Sequence, residues 1–157
     1  MTIRAIVTDI EGTTTPIAFV HEVLFPYARA RLAEFCAARQ ADPVVAEALA
    51  AVRAESGAQS LDAVVAVLLQ WMDEDRKAGP LKTLQGLIWQ AGYEAGVLKG
   101  QVYEDAAALL MCWESQGLKL YVYSAVILIR PSVRKLTQIL TRRLPKPSAL
   151  RLTKFCF

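Results

Sequence analysis

The sequence has few of the nitrogen and sulfur side chains that build zinc or redox centres. It contains a single histidine, and its three cysteines, Cys36, Cys112 and Cys156, are far apart and lack the paired spacing of a zinc site. An odd number of scattered cysteines also argues against a disulfide framework. We therefore expect buried, reduced thiols and no metal or redox role for them.

Long apolar runs are also absent. No run reaches the roughly 18 residues that a membrane span needs, and the Met1 end lacks the basic-then-apolar order of a secretory signal. We therefore expect a cytoplasmic protein without membrane association. At 157 residues and 54% apolar content, the chain is long enough for one globular domain with a sizeable core and a small second lobe.

Acidic residues are missing from the last part of the chain. Residues 1–114 hold nine Lys or Arg and all fifteen Asp or Glu, whereas residues 115–157 hold nine Lys or Arg and no acid. So long a stretch without an acid would arise by chance on the order of one time in a hundred. We predict a divergent basic tail over 125–157. Its charge could attract nucleic acid, but its interleaved apolar runs and lack of a recognisable binding module favour a segment without a specific partner.

Hydrophobic periodicity predicts two strands and a helical insertion between them. The apolar, β-branched run 3–9 is typical of a buried parallel strand, and 118–124 predicts a second strand after a helix at about 103–116. Ser60 and Pro80 are suitable residues for helix starts. Helical spacing of apolar residues indicates four further helices, at about 19–39, 43–55, 60–77 and 80–95.

This order of elements predicts an α/β protein in which a helical cap is inserted into a sheet-containing core. We assign residues 1–16 and 100–124 to the core and residues 17–99 to the cap. The tryptophans within the predicted helices, Trp71, Trp89 and Trp113, are expected to fill the core or the interfaces of the cap.

The first predicted strand ends in residues suited to phosphoryl transfer. Ligands of open α/β sheets bind at the carboxyl ends of strands, so Asp9 and Glu11 would meet a substrate there, and Gly12 would let it approach the backbone. One carboxylate can attack phosphorus while the other transfers protons, and Mg²⁺ can offset the charge repulsion. Thr13, the amides after Glu11 and the Ser124 hydroxyl are candidate phosphate contacts. In isolation, the same string would be only a turn with a cap; its position after a strand favours catalysis.

The segment from Asp9 to Ala28 resembles the enolase-phosphatases (acireductone synthases) of methionine salvage, in the haloacid dehalogenase-like superfamily. Glu11 followed by Gly-Thr-Thr is fairly specific to this branch, and 80–89, 98–100 and 117–124 are similar as well. The resemblance implies a Rossmannoid core with an inserted helical cap. It also implies a Mg²⁺-dependent phosphoric monoester hydrolase, which converts the small-molecule ester 2,3-diketo-5-methylthiopentyl 1-phosphate to acireductone.

The resemblance also implies roles for individual residues. Asp9 would be the nucleophile and a metal ligand, Glu11 the acid/base and metal-associated, and Ser124 a phosphate contact. His21 is a candidate for proton transfer during enolisation, although a structural hydrogen bond is the commoner role for such a residue.

The similarity stops after Ser124, where the family continues with a second serine, a lysine that steadies the phosphate and an aspartate that completes the Mg²⁺ shell. We therefore expect an incomplete core, a chain truncated or frame-shifted after about residue 124, and impaired activity. The alternative is a non-catalytic product whose basic tail binds nothing specific or weakly binds nucleic acid. We expect a monomer.

Overall fold

The structure is a computed structural model that describes residues 3–123 of the chain. Ser124 and the predicted tail, 125–157, lie outside the described residues. The predicted order of strand, helical insertion, helix and strand is confirmed. The elements are β1 (Ala5–Asp9), α1 (Ile17–Phe19), a π-helical segment (Val20–Leu24), α2 (Phe25–Arg39), α3 (Pro43–Ser56), α4 (Leu61–Asp73), α5 (Gly79–Glu94), α6 (Glu104–Ser115) and β2 (Lys119–Tyr123).

The two strands are parallel, with Ala5 opposite Lys119 and Asp9 opposite Tyr123. Both strands therefore reach their carboxyl ends at the same edge. The prediction that the first strand is buried is wrong for this structure, because Val7 is 67% exposed. Parallel strands become buried when further strands and helices cover both faces, and β1 has β2 as its single strand partner within residues 3–123.

The hydrophobic core of the described residues lies in the helical cap. Helices α4 and α5 each pack against α2 and α3, and the buried cluster draws its side chains from Phe19 to Leu98. Burying one large aliphatic side chain contributes about 1.5–3 kcal/mol to the stability of the folded state. The cap therefore has a core of its own. Its largest fully buried side chains are Leu32, Leu49, Leu68, Leu84, Ile88, Val45, Val52, Val64 and Cys36.

Local capping explains where the cap helices begin. The Asp42 carboxylate accepts a 2.9 Å hydrogen bond from the Val44 amide at the start of α3, and Ser60 Oγ accepts one of 3.2 Å from the Ala63 amide at the start of α4. Pro80 lies in the first turn of α5, where its missing amide proton costs no helical hydrogen bond. The start signals at Ser60 and Pro80 were predicted from the sequence and are confirmed, whereas the Asp42 cap was not predicted.

The prediction that the third cap helix continues to Lys77 is wrong, because α4 ends at Asp73. Asp75 has φ of 49°, and the amide of Arg76 donates to the carbonyl of Trp71 at 2.8 Å. A left-handed residue followed by this backward hydrogen bond is the usual way to end a helix, although glycine is the commoner residue at the left-handed position. Because this position holds aspartate and not glycine, the sequence contains no signal for the end of the helix.

The first long helical stretch contains a π-helical segment, Val20–Leu24, that the sequence did not predict. At its end, the carbonyl of Leu24 accepts a 2.7 Å hydrogen bond from the buried indole nitrogen of Trp89. This contact joins the first helical stretch to α5. Among residues 3–123, no helix combines the length and apolar character needed to cross a membrane.

Candidate active site

Asp9 is the last residue of β1, and its side chain is exposed. Its Oδ1 accepts a 2.8 Å hydrogen bond from the amide of Ile10. Its Oδ2 has no hydrogen-bond partner within the described range. One carboxylate oxygen is thus held by the backbone, while the other remains available at the carboxyl edge of the sheet.

The loop after Asp9 is folded around the carbonyl of Ile10. That oxygen accepts from the amides of Thr13, Thr14 and Thr15 at 3.3, 3.0 and 2.9 Å. Gly12 adopts φ of 79°, a conformation that glycine reaches without a steric penalty, and its amide donates to the Thr15 carbonyl at 2.8 Å. The amides that the sequence suggested as phosphate donors therefore bond within the loop.

Glu11 is half-buried, two residues beyond Asp9, and forms an isolated parallel bridge with Thr15. The hydroxyl of Thr14 lies 3.4 Å from the carbonyl oxygens of both Asp9 and Ile10. Because these contacts bind the loop to the strand end, the backbone positions of Asp9 and Glu11 are fixed relative to each other.

Thr13 is exposed and lines a cavity of about 420 Å³, together with Thr8 and Thr14 on one side and residues of α6 on the other. Trp113 is half-buried in its wall. The cavity thus lies between the end of β1 and the helix that leads to β2. Of the three threonines that line it, Thr8 and Thr14 donate their hydroxyls to backbone carbonyls, which leaves Thr13 as the candidate polar contact on this side.

The other predicted positions have different surroundings. Ser124, the candidate phosphate contact, lies outside the described residues. His21 is exposed on the π-helical segment, with its ring centroid 5.9 Å from that of Phe25. The expected burial of Trp71 and Trp89 is confirmed, with 4% exposure for each side chain.

The thiol of Cys36 is fully buried in the cap, and burial raises its pKa to about 11. Cys112 is half-buried on α6, and its sulfur accepts a 3.4 Å hydrogen bond from the side-chain amide of Gln116. The expected burial is therefore confirmed for Cys36 and is only partial for Cys112, whereas Cys156 lies outside the described residues.

The carboxylates of Asp9 and Glu11 fit a hard divalent cation whose remaining ligands are water and substrate phosphate. Asp9 and Glu11 supply two carboxylates, and residues 3–123 contain no cluster of three His, Cys, Asp or Glu side chains able to hold a metal. Mg²⁺ is usually bound through one or two carboxylates, with waters and substrate phosphate completing its shell. The described residues meet this minimum.

Comparison with known proteins identifies the family. The chain is 66% identical over 125 residues to enolase-phosphatase E1 of Parvibaculum lavamentivorans, covering 78% of this chain and 53% of the relative. It is 56% identical over 127 residues to enolase-phosphatase E1 of Pseudomonas aeruginosa strain UCBPP-PA14, covering 80% and 56%. The chain spans about half the length of these curated relatives. No family model matches it.

Among solved structures, the UTR4 protein of Saccharomyces cerevisiae superposes with a TM-score of 0.62 at 30% identity, covering 88% of this chain and 56% of that one. The described helices and the small parallel sheet agree with an incomplete α/β core carrying a helical cap. Over the part that these matches cover, the chain belongs to the enolase-phosphatase family of haloacid dehalogenase-like proteins.

Proposed function

We propose that this chain is a Mg²⁺-dependent enolase-phosphatase that acts on 2,3-diketo-5-methylthiopentyl 1-phosphate and forms an aspartyl-phosphate at Asp9. The observation that carries the proposal is the position of the Asp9 carboxylate. It is exposed at the carboxyl end of a parallel strand, with one oxygen bonded to the Ile10 amide at 2.8 Å. Ligands of α/β sheets bind at this edge.

In the proposed dephosphorylation, Asp9 Oδ2 attacks phosphorus, and the bond between phosphorus and the ester oxygen breaks. Glu11 gives a proton to the leaving oxygen and then takes one from the water that attacks the phospho-aspartate. Inorganic phosphate leaves, and Asp9 is regenerated as a carboxylate. The hydrogen bond to Oδ1 supports this role because it orients the carboxylate while leaving Oδ2 available.

Asp9 and Glu11 would hold Mg²⁺, which neutralises charge on the phosphoryl oxygens when bound. Thr13 supports binding of the phosphate group because its hydroxyl lines the cavity between the strand end and α6. Ser124 would add a second hydroxyl. The preceding enolisation is proposed from family membership, and His21 is the candidate for its proton transfer.

The proposal is tested by measuring phosphate release from the diketone phosphate with Mg²⁺ and with EDTA. Asp9→Asn keeps the shape of the side chain and removes the nucleophile, so we expect release at background level. Glu11→Gln should lower the rate by about 10²–10⁴-fold, as expected for loss of a general acid/base. Asp62→Asn is the matched control, because Asp62 is exposed in the first turn of α4.

Release that requires Mg²⁺, that is lost in Asp9→Asn and that persists in Asp62→Asn supports the proposal. Equal background release by the unmodified chain and by Asp9→Asn contradicts it. That result would favour the non-catalytic alternative.

A further inference from the structure

Two threonine side chains contact the carbonyl oxygen of the proposed nucleophile. The hydroxyl of Thr8 donates to the Asp9 carbonyl at 3.0 Å, and the hydroxyl of Thr14 lies 3.4 Å from the same oxygen. A hydroxyl has a single proton to donate. Although both threonines line the cavity of about 420 Å³ beside α6, their protons are directed at the backbone. Both side chains therefore have a task other than contact with a phosphate group.

The Asp9 carbonyl belongs to the peptide group that also contains the Ile10 amide. Because this peptide group is planar and trans, its C=O and N–H point in opposite directions, and fixing one fixes the other. The Ile10 amide is the group that donates to Asp9 Oδ1 at 2.8 Å. The orientation of the Asp9 carboxylate thus depends on the orientation of its own carbonyl group.

Thr14 is itself held at both of its backbone groups. Its amide donates to the Ile10 carbonyl at 3.0 Å, and its carbonyl accepts from the Tyr103 amide at 2.9 Å, immediately before α6. The residue is only 9% exposed. Water therefore has little access to replace the Thr14 hydroxyl, and the two backbone bonds set the position of that hydroxyl.

Thr8 is held by the strand that carries Asp9. Ile6 and Thr8 form the half-buried face of β1, and Thr8 borders the cavity together with residues of α6. Its β-branched side chain has a restricted torsion angle χ1, and pairing with β2 fixes its backbone. One hydroxyl from the strand and one from the loop thus reach the same carbonyl oxygen from separate anchors.

From this arrangement we infer that Thr8 and Thr14 are positioning residues for the proposed nucleophile. Their hydroxyls fix the Asp9–Ile10 peptide group, so that its N–H holds Asp9 Oδ1 and leaves Oδ2 for attack on phosphorus. The inference rests on the proposed function for its effect on turnover, whereas the hydrogen bond itself can be measured without substrate.

Hydrogen exchange of the Ile10 amide, followed by NMR on the full chain without substrate, tests the structural step. Thr8→Val and Thr14→Val keep the shape of each side chain and remove its hydroxyl. We expect each to speed exchange of this amide about 3–10-fold, and the double variant to approach the rate of Asp9→Ala, which removes the acceptor. Thr8→Ser and Thr14→Ser keep the hydroxyl and should exchange at the parent rate.

Turnover of the diketone phosphate with Mg²⁺ tests the catalytic consequence. A misdirected carboxylate slows the attack without weakening the binding of the ester. We therefore expect the kcat of the double valine variant to fall about 10–100-fold, the KM to stay within about twofold, and the serine variants to retain the parent kcat. Thr83→Val is the matched control, because the Thr83 hydroxyl donates to the Gly79 carbonyl at 3.1 Å within α5.

The two measurements separate this inference from the proposed function. Background release by the parent, together with faster Ile10 exchange in the valine variants, contradicts the proposed function but supports the positioning of the peptide group. Parent-like Ile10 exchange in the double valine variant overturns the inference, once circular dichroism has established that the variant is folded. So does an unchanged kcat in that variant when the parent is active; a rise in KM alone would mean that the hydroxyls bind the ester. If the double variant does not fold, the single valine variants decide by the same criteria.

Discussion

Replacing Gly92 with alanine tests the packing between α5, α2 and the chain that follows α5. A Cβ at this position would lie 2.7 Å from Tyr27 Oη, 2.8 Å from Tyr27 Cε1 and 2.8 Å from Leu98 Cδ1. These distances are well below van der Waals contact. The Tyr27 ring also contacts the guanidinium of Arg31, which lies 3.9 Å from the ring centroid, so a shift of the ring away from an added methyl group would disturb this contact.

Substitution of a second glycine in α5 separates the steric cost at Gly92 from the general effect of alanine on helix propensity. Alanine is more favourable than glycine in a helix interior by about 0.8–1.0 kcal/mol, whereas overpacking a filled site costs about 1–3 kcal/mol. Gly86 is also in α5, and a Cβ there would meet nothing within 4 Å. The propensity gain is therefore common to both variants, and only Gly92→Ala carries the steric cost.

Urea unfolding of the two variants and the parent chain measures this difference directly. We expect Gly86→Ala to be more stable than the parent and Gly92→Ala to be less stable than Gly86→Ala by about 1–3 kcal/mol. For a chain of this size, the gap corresponds to roughly 2–4 °C in midpoint per kcal/mol. Equal free energies of unfolding for the two variants would refute the close packing at Gly92.

Three further predictions concern the cap and the Asp9 loop. Burial raises the pKa of Cys36 from 9.0 to about 11, so its contribution to stability is complete below pH 9 and is lost as pH rises towards 11. The loss is at most about 2.7 kcal/mol, and unfolding at pH 8 to 11 should show it as a fall in the stability of the parent relative to Cys36→Ala. Asp42→Ala removes the N-cap of α3 and should lower the free energy of unfolding by about 1 kcal/mol; no change would mean that the 2.9 Å bond to Val44 adds nothing. Millimolar Mg²⁺ without a phosphate ester should leave the melting midpoint unchanged, because the described site offers only two carboxylates; a rise that Asp9→Asn abolishes would contradict this.

Periodicity and capping residues were sufficient to predict the helical cap. The apolar spacing of α2 to α5 follows from the faces that they bury, and Ser60 and Pro80 mark helix starts by local chemistry alone. The misplaced end of α4 had no such signal. Asp75 takes the left-handed conformation that normally indicates glycine, since the backward bond from Arg76 to Trp71 holds the turn.

The Asp9 loop was predictable in position but not in its internal bonding. Residue order places Asp9 and Glu11 after a strand. The amides of three threonines donate to the Ile10 carbonyl, and this bonding depends on how the loop closes around Gly12. Phosphate contact through these amides would require the loop to open. The Thr13 hydroxyl can contact phosphate in the present conformation, whereas those of Thr8 and Thr14 donate to backbone carbonyls.

The cavity of about 650 Å³ between the first long helical stretch, α4 and α5 shows why tertiary contacts add information that sequence patterns lack. Lys82, Gln85 and Trp89 resemble an ordinary amphipathic stripe, and nothing in their spacing distinguishes a core-facing glutamine from one that lines a pocket. That distinction arises because the chain reversal at Asp75 and the π-helical segment bring Trp71 and Phe25 to the same space. The surrounding helices share a core running from Phe19 to Leu98, so the position of Gln85 follows from how these helices pack and not from its own local sequence.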